Sequence, residues 1–516
     1  MVASTLQWPH RTGGVRMTRW IWLAAVPLLA AGGAWYYQAA ARPGPILQVV
    51  GETVRQGELT LAPIRLRNRS YRFLPTYVDG EEGRLFAPLD HERPDGRTVE
   101  LHLLRFAPSS NDAHGWPTVV LVDGPSDTAV GFASGATFDF IQALRGVGEV
   151  IVLDQRGSQY SEPFLECPGT YAFPVDEPNT VERRGPLVAA YVRQCIRAWA
   201  GTNLGLFTPR DTAHDIEDVR LALGAERINL VAVGEGTRAA LDYLRLYPNR
   251  AEQAVMVGAQ APNQVDVLPA DVEAVLDRVA TAIATDVTVG RAFPDLRSAV
   301  DDLVAEVERA PVTVNVPAGG ETVEVVLGAY DVISYVIFAL RDRDRIATLP
   351  RVLAAMQVGD FRELAGLALP SRSNNRIATL AQIAVDCSGK NAPERADRLA
   401  EQVPASPLGN YVNLVRMAAC PIWPGAPLPA SYRDPVLSAT PTLFVSGTWD
   451  IDTPPENINE ILDGFLSAWT LSIDGATHRD LLTGSPQITE AVTAFLRGDT
   501  PAADSIVLTP IRFAGL

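Results

Sequence analysis

The chain has 516 residues, of which 47% are hydrophobic and 20% charged. These proportions exclude a mostly disordered chain, which would contain fewer apolar and more charged residues. The 44 basic and 60 acidic residues give a formal charge of −16. Such a balance argues against a nucleic-acid partner, because phosphate binding needs a positive surface. The length allows one large domain with an insertion or two modest domains.

The chain opens with a basic and then an apolar segment. Arg11, Arg16 and Arg19 precede an apolar run at 20–37, and three alanines follow at 39–41. This order is typical of a signal peptide with its cleavage site. The run is also close to the roughly 18 to 20 residues that span a membrane, so an uncleaved anchor is the alternative. We therefore predict a signal peptide or anchor over 1–41 and an exported protein that is periplasmic, secreted or anchored at the outer face of the cell membrane.

The four cysteines can form disulfides in such an oxidising compartment. Pairing neighbours in sequence gives Cys167–Cys195 and Cys387–Cys420, one of the three connectivities that four cysteines allow. The sequence has no C-x-x-C motif and no pair of histidines at ligand spacing. We therefore predict no metal site and no cofactor.

The first half of the chain has the pattern of an α/β core. Residues 42 to about 108 have strand and turn patterns, and the alternating stretch Thr98–Phe106 suits an edge region of a sheet. Short apolar runs, typical of strands buried on both faces, alternate with helical patterns, which predicts a mostly parallel sheet flanked by helices. The strands are predicted at 118–122, 149–153, 227–233 and 254–257, and the helices at 212–223 and 237–246.

Helical patterns then dominate until buried strands return near the end of the chain. We predict a first part of the core over 42–262, a helical cap over 263–432 and a second part of the core over 433–516. The supporting patterns are helices at 270–284, 295–310 and 330–339, a hairpin at 312–327, strands at 442–446 and 469–473, and a closing helix at 487–497.

Two polar residues follow the last predicted strands of the core. Asp450 comes just after the strand at 442–446, and His478 just after the next strand. A carboxylate can hold an imidazole in one tautomer while its other nitrogen acts as a base. The position and order match the acid and histidine of an α/β hydrolase. Asp452 is the rival candidate for the acid.

Several motifs along the chain point to one family. They are Leu-Asp-Gln-Arg-Gly at 153–157 with Ser161 and Cys167, Phe-Thr-Pro-Arg-Asp-Thr-Ala-His-Asp at 207–215, Arg-Leu-Ala-Leu-Gly at 220–224, Gly-Thr-Arg-Ala-Ala-Leu-Asp-Tyr at 236–243, Val-Asp-Cys at 385–387, Cys-Pro-Ile-Trp-Pro at 420–424, and Gly-Thr-Trp-Asp-Ile-Asp-Thr-Pro-Pro at 447–455. With them the chain resembles the secreted branch of the peptidase S33 family, the tripeptidyl- and prolyl-aminopeptidase type of α/β hydrolase. The resemblance covers nearly all of the mature chain. It implies an α/β-hydrolase fold with a helical cap over the site, and cleavage of short peptides, amides or esters that often present a free N-terminus.

One position departs from that family. Its nucleophile motif is Gly-x-Ser-x-Gly followed by Thr, and alignment on Gly236 and Thr237 places Gly234 at the nucleophile position. No Gly-x-Ser-x-Gly occurs anywhere in the 516 residues. Glycine adopts the strained conformation of this turn without a steric penalty, so the turn is expected to survive while its chemistry is lost.

The residues around this position also differ. The resemblance makes the backbone N–H groups of Glu235 and Gly124 the oxyanion donors, and the His-Gly-Gly-Pro-Gly segment of the family is replaced by residues 122–126, with Asp123 in it. Carboxylates nearby disfavour a developing oxyanion. Glu235 is interpreted either as a solvated carboxylate at a helix start or, with Asp123, as part of an acidic pocket for a cationic amine.

Three functions follow from these observations. The first is a catalytically impaired protein, or pseudoenzyme, that binds a small peptide, amine or ester ligand in a retained cleft. The second is an active hydrolase in which Asp450 and His478 activate water, or in which Glu235 attacks the substrate. The third is a structural envelope protein held by its anchor. The substitution Gly234→Ser is expected to restore activity if the rest of the site is intact. The sequence predicts neither the oligomeric state nor the cap residues that line the cleft.

Overall fold

The computed structural model describes residues 57–70 and 76–515. The predicted signal or anchor segment, with its apolar run at 20–37, lies outside these ranges. Within them, no helix combines the length and the apolar character that crossing a membrane requires.

A ten-stranded sheet forms the centre of the described chain. Its strands are β1 (Leu59–Arg67), β2 (Tyr77–Pro88), β3 (Thr98–Phe106), β4 (Gly115–Leu121), β5 (Gly148–Leu153), β6 (Ile228–Val233), β7 (Ala251–Val257), β10 (Thr442–Gly447), β11 (Ala468–Asp474) and β12 (Ser505–Val507), while β8 (Val312–Ala318) and β9 (Glu321–Leu327) form a separate hairpin. The order across the sheet is β1-β2-β3-β5-β4-β6-β7-β10-β11-β12. Every pair from β5 to β12 is parallel, whereas β1, β2, β3 and β5 pair antiparallel.

The mostly parallel sheet predicted from the sequence is therefore confirmed, with one correction. β3 was expected in an edge region, but it lies between β2 and β5. Its alternation has another cause: antiparallel strands on one side of the sheet can keep a polar row without being at the edge. Strand β1 forms this edge, and β2 lies between β1 and β3.

Helices cover both faces of the sheet and fill the segment between β7 and β10. They are α1 (Ala129–Ser134), α2 (Phe138–Leu144), α3 (Val181–Ala198), α4 (Pro209–Ala222), α5 (Gly236–Leu246), α6 (Pro269–Thr285), α7 (Leu296–Arg309), α8 (Ala329–Leu340), α9 (Arg343–Ile346), α10 (Leu349–Gln357), α11 (Arg362–Ser373), α12 (Leu380–Ser388), α13 (Pro393–Gln402), α14 (Leu414–Ala419), α15 (Glu456–Asn459) and α16 (Pro486–Leu496).

Alternation along the central strands builds one hydrophobic core on each face of the sheet. On β4, Val119 and Leu121 pack into the core that includes α3, α4 and α5. Val120 and the following Val122 pack into the other core, with α1, α2 and α16. Because both faces are covered, these strands are apolar throughout, which is the pattern that identified them in the sequence.

The helices between β7 and β10 have a hydrophobic core of their own. It is built mainly from α6, α7, α8, α10 and α11. Trp449 and Ile451, on either side of Asp450, are also buried in it. The loop that carries the predicted acid is thus held by the helical region as well as by the sheet. The exact boundaries of the predicted domains remain a prediction.

Both predicted disulfides are confirmed. Cys167 and Cys195 are bonded with their Cα atoms 4.8 Å apart, which ties the segment after β5 to α3. Cys387 and Cys420 are bonded with a Cα separation of 5.0 Å, which ties α12 to the turn after α14. In the chain-entropy account, each loop of this size stabilises the fold by about 3–4 kcal/mol.

Candidate functional site

The predicted acid and histidine meet at the carboxyl ends of β10 and β11. Asp450 Oδ2 lies 2.8 Å from His478 Nδ1. The buried Asp450 side chain also accepts hydrogen bonds from the backbone N–H groups of Asp452 and Thr453, and from the Thr453 hydroxyl. These donors hold the carboxylate in one orientation. Asp452, the rival for the acid, forms an ion pair with Arg341 instead.

Gly234 occupies the sharp turn between β6 and α5. Its φ is +51°, a left-handed conformation that residues with a Cβ avoid. The turn is closed by two hydrogen bonds, from the Gly234 N–H to the Val257 carbonyl and from the Thr237 hydroxyl to the Gly234 carbonyl. The strand-turn-helix geometry expected around this position is present. Its assignment as a lost nucleophile position stays a prediction.

The space beside Gly234 is filled by the carboxylate of Asp123. A Cβ placed on Gly234 would lie 2.0 Å from Asp123 Oδ1, far inside a van der Waals contact. Oδ1 accepts a hydrogen bond of 2.9 Å from the Glu235 N–H. Oδ2 lies 3.2 Å from His478 Nε2. One side chain, from the loop after β4, therefore reaches the turn, the backbone donor and the histidine together.

His478 is placed between two carboxylates, Asp450 on Nδ1 and Asp123 on Nε2. Burial alone would lower the pKa of His478, but the two negative charges outweigh it and hold the pKa well above its usual range. The two carboxylates therefore favour the protonated, imidazolium form of the ring. The contact with Asp123 is an ion pair without the angle of a hydrogen bond, so the Nε2–H has no hydrogen-bond partner among the described residues. The same pairing holds the pKa of Asp123 below its usual range, although burial opposes this.

Glu235 is buried, with only 7% of its surface exposed. Its Oε2 accepts a hydrogen bond of 3.1 Å from Gln155, while its Oε1 has no partner among the described residues. Burial raises the pKa of Glu235 to about 7, with Arg238 and Gln155 opposing the rise. The interpretation of Glu235 as a solvated carboxylate is therefore wrong, because the side chain faces inward.

A cavity of about 460 Å³ adjoins these groups. Its wall contains four carboxylates, a histidine and three guanidinium groups, so the expected acidic pocket is in fact close to balanced in charge. Cap residues from α12, α14 and the segment after α8 supply part of that wall. The charged lining residues are Asp123, Glu235, Asp386, Asp452, His478, Arg238, Arg341 and Arg416.

Two of the three arginines in this wall are already neutralised. Arg416 binds both carboxylate oxygens of Asp266, at 2.6 and 2.7 Å, and Arg341 pairs with Asp452. Arg238 lies 3.8 Å from Asp386, and its Nε has no partner within the described ranges. Among the buried polar atoms of the described lining, those without a hydrogen-bond partner are Glu235 Oε1, Arg238 Nε and His478 Nε2.

A second cavity, of about 330 Å³, shares Asp123, Arg341, Asp452 and His478 with the first. Its apolar lining comes from α1, the ends of β6 and β7, and the segment after β11: Phe132, Val233, Val257, Leu481 and Leu482. The Asp123 and His478 side chains border both cavities.

The two predicted oxyanion donors are both engaged within the protein. The Glu235 N–H donates to Asp123, as described above. The Gly124 N–H donates to the Val122 carbonyl at 2.8 Å. Neither N–H is therefore offered to the cleft.

Sequence reasoning missed several residues that shape the site. Thr453 was quoted only as part of a motif, yet its hydroxyl lies between Asp450 and His478. Gly258 follows β7 with φ +59°, and a Cβ there would lie 2.4 Å from the Thr453 hydroxyl and 2.9 Å from the His478 ring. A glycine just past a buried strand is the signal that points to such a close approach.

One group of side chains in the described residues has the spacing of metal ligands: His91, Asp215 and Asp218. Asp215 binds Arg156 through both oxygens, at 2.6 and 2.7 Å, and His91 Nε2 lies 2.9 Å from Asp218. These internal partners engage both oxygens of Asp215 and the Nε2 of His91, whereas His91 Nδ1 has no hydrogen-bond partner among the described residues. The cluster is therefore mainly a partly buried hydrogen-bonded network of α4 and its neighbours.

Comparison with known proteins agrees with this fold. Residues 114–312 match the family described as alpha/beta hydrolase fold, and residues 404–506 match the family described as TAP-like protein. The serine protease Hip1 of Mycobacterium tuberculosis is 24% identical over 93% of this chain and 95% of the relative. The tripeptidyl aminopeptidase of Streptomyces coelicolor is 22% identical over 82% of each chain. The solved structure of proline iminopeptidase from Mycobacterium smegmatis has a TM-score of 0.34 and 15% identity, over 80% of this chain and 98% of that one.

The chain has the α/β-hydrolase fold. Within that fold it is similar to the S33 peptidases, with the extra helical region between β7 and β10.

Proposed function

We propose that this protein is an exported α/β-hydrolase-fold protein that has lost the acyl-transfer chemistry of its relatives and binds a small peptide-like or amine ligand in the cleft. The observation that carries the proposal is the position of Asp123. Its carboxylate fills the space beside Gly234, accepts the Glu235 N–H and pairs with His478. A serine hydrolase needs the space at the nucleophile, the backbone N–H and the histidine to be available to the substrate.

The charge state of His478 also argues against water activation by Asp450 and His478. A general base must be unprotonated, and the pKa of His478 lies well above its usual range. Attack by Glu235 lacks support too, because the pKa of its buried carboxyl is raised to about 7 and half of the groups are protonated at that pH.

The positions of Glu235 and Asp386 support the proposal that the cleft recognises an ammonium group of the ligand. Glu235 Oε1 is buried at the cavity wall without a described partner, and a buried carboxylate is strongly stabilised by a cation. Asp386 lies in the same wall, where burial raises its pKa. The N-terminus of a short peptide supplies an ammonium group of suitable size for a cavity of about 460 Å³.

Export is part of the proposal. The disulfides support an oxidising compartment. N-terminal sequencing of the mature protein should give Arg42 first if the segment is a cleaved signal, and an uncleaved N-terminus would instead support the anchor.

Two measurements on the purified protein test the proposed function. Aminoacyl-anilide and nitrophenyl-ester substrates should be turned over no faster by the wild type than by His478→Gln. Robust turnover that His478→Gln abolishes would overturn the loss of chemistry.

Ligand binding is tested by calorimetry with a short peptide and its N-acetylated form. The free peptide should bind and the acetylated form should not, and Glu235→Gln should weaken binding at least about 10-fold, the effect of losing one charged hydrogen bond. Glu226→Gln, at an exposed position, is the matched control. Equal binding of both peptides would contradict the role of the ammonium group.

A further inference from the structure

We propose that the ligand of the cleft is a free α-amino acid with an aliphatic side chain, which binds Glu235 through its ammonium group and Arg238 through its carboxylate. This assignment deepens the proposed function and rests on it, because the cavity and the ammonium contact are the same. Three observations carry it: two buried side chains of opposite charge with incomplete hydrogen bonds, the charge balance of the cavity wall, and a group of valines in that wall.

Arg238 is a buried cation whose hydrogen bonds are incomplete. Only 3% of the residue is exposed, although a guanidinium carries five N–H donors. Its Nη2 reaches the carbonyl oxygens of Gln264 and Val265 only at 3.4 and 3.5 Å, and Asp386 lies 3.8 Å from Nη1. The Nε has no partner among the described residues. A guanidinium in this state is strongly stabilised by a carboxylate, whose two oxygens match its parallel N–H groups.

Glu235 and Arg238 place opposite charges on one side of the start of α5. The backbone of Glu235 is already helical, and residues three positions apart on a helix have Cβ atoms about 5–6 Å apart. Glu235 takes part in no ion pair within the described residues, and its Oε1 lacks a partner. Both side chains line the cavity of about 460 Å³. In an α-amino acid the ammonium nitrogen and the carboxylate oxygens are about 3 Å apart, so the ligand can bridge the two side chains.

The charge of the cavity wall favours a ligand without net charge. The wall contains four carboxylates, three guanidinium groups and His478, whose protonated form is favoured. A simple amine or a simple anion would add an unbalanced charge to this wall, which is costly in a buried site. A zwitterion adds both signs and places each beside a group that lacks a partner. The charge balance therefore favours an amino acid over an amine.

The apolar part of the wall indicates the side chain of the ligand. Val265 and Val267 come from the segment after β7, whereas Val412 precedes α14 and Val415 lies in it. No Phe, Tyr or Trp is among the described residues that line this cavity. An aliphatic side chain buries apolar surface against these valines. Leucine is a suitable probe for this reason.

A short peptide satisfies only one of the two charged contacts. Each added residue moves the carboxylate about 3.5 Å farther from the ammonium group. A peptide therefore keeps the contact with Glu235 and loses the contact with Arg238. Both kinds of ligand agree with the proposed function, but the free amino acid should bind more tightly.

Calorimetry on the purified full chain uses leucine, leucinamide and N-acetyl-leucine. Leucinamide lacks the carboxylate, and N-acetyl-leucine lacks the ammonium group. Leucine should bind at least about 10-fold more tightly than leucinamide, the effect of one hydrogen bond to a charged group, and N-acetyl-leucine should bind more weakly than either. Titrations at pH 7 keep the amino groups of leucine and leucinamide mainly protonated.

Substitution of Arg238 assigns the carboxylate contact to one residue. Arg238→Gln should bring the affinities of leucine and leucinamide within about twofold of each other, whereas Arg238→Lys should keep part of the preference for leucine. The ratio of the two affinities is the readout, because the Arg238 charge also acts on Glu235 and that effect is common to both ligands. Arg193→Gln, at an exposed position of α3, is the matched control and should keep the wild-type ratio. Melting curves check that each variant is folded.

The wild type alone can overturn the assignment, even if Arg238→Gln does not fold. Equal binding of leucine and leucinamide, or no binding of leucine, would do so, and so would a wild-type ratio in folded Arg238→Gln. In each of these cases, a short peptide that binds only without its acetyl group would still support the ammonium site at Glu235. Tight binding of N-acetyl-leucine that persists in Glu235→Gln would instead contradict the proposed function itself, because no ammonium group would then be required.

Discussion

Two histidines in this protein lie between pairs of carboxylates, and their surroundings make them very different. His102, on β3, is fully buried, with Nδ1 2.5 Å from Asp154 and Nε2 3.1 Å from Glu82. His478 has Asp450 and Asp123 in the same two places. In both cases burial would lower the pKa of the ring, and the carboxylates raise it.

The difference lies in what each ring can reach. Both nitrogens of His102 make hydrogen bonds within the sheet, and no part of its side chain is exposed. The Nε2–H of His478 has no such bond among the described residues, and the ring borders two cavities. A raised pKa therefore marks a stabilising ion pair in one place and a candidate reactive group in the other. The hydrogen-bond geometry distinguishes the two histidines, whereas the direction of the pKa shift does not.

The largest expected effect is on stability, from His102→Ala. The substitution leaves the buried carboxylate of Asp154 without its charged partner, which typically costs about 3–5 kcal/mol. His478→Ala should cost only about 1–2 kcal/mol, because Asp450 keeps its bonds from the Asp452 and Thr453 N–H groups.

Denaturant unfolding measures both values, with His114→Ala at an exposed position as the control. Equal losses in the free energy of unfolding for the two variants would contradict this difference between the two histidine sites.

The next effect concerns the pH dependence of stability. The pKa of Glu235 is raised from 4.5 to about 7, so folding favours its protonated form. The folded state binds more protons between these values, and stability falls as pH rises through that window. Glu235→Gln should therefore raise the free energy of unfolding above pH 7, by at most about 3 kcal/mol, and should change it little near pH 4.

Unfolding curves for wild type and Glu235→Gln across pH 4 to 8 give the comparison, and Glu226→Gln should follow the wild type throughout. A gain that is constant with pH would mean that the Glu235 carboxyl does not titrate in this range. This pH dependence separates Glu235 from His102. His102 stabilises the protein through carboxylates of the protein itself. The buried Glu235 carboxylate instead lowers the stability of the free protein, and a cationic ligand would offset that loss.

A smaller loss of stability is expected from Gly234→Ala. The new Cβ must displace Asp123 and adopt φ near +51°, for which about 1–3 kcal/mol is typical. Removing the obstacle with Asp123→Gly in the same chain should recover part of that loss. Additive losses in a double-mutant cycle would contradict the direct contact between the two positions.

The same contact corrects the expectation for Gly234→Ser. The single substitution should stay inactive on nitrophenyl esters, because Asp123 occupies the space of the serine side chain and holds the backbone donor. Gly234→Ser with Asp123→Gly frees both, and should raise ester hydrolysis by at least about 10-fold over either single variant. Activity of Gly234→Ser alone would show that Asp123 moves aside easily.

Much of the fold followed from the amino-acid sequence. The strands at 118–122, 149–153 and 442–446 were recognisable because a strand covered on both faces is apolar along its whole length. The pairing of Asp450 with His478 was predictable from chain order, since consecutive parallel strands end at the same edge. Both disulfides followed from proximity in sequence.

The rest depended on contacts between distant segments. Asp123 was recognised as a change in a motif, but its position beside Gly234 and His478 results from three strands ending together. The cap residues Asp386 and Arg416 reach the cleft because of how their helices pack, and this packing cannot be predicted from a local sequence pattern. Glu235 was assigned to solvent or to a pocket with equal reason, because burial is not a property of one position in a sequence.

The sequence by itself determined the fold class of this protein, the proximity of Asp450 and His478, and the turn at Gly234, because periodicity, order along the chain and turn chemistry depend on neighbouring residues. Only the tertiary structure decided that a carboxylate from the loop after β4 takes the place of a side chain at that glycine. The physical reason is that the space, the backbone donor and the imidazolium exist together only after the sheet has formed.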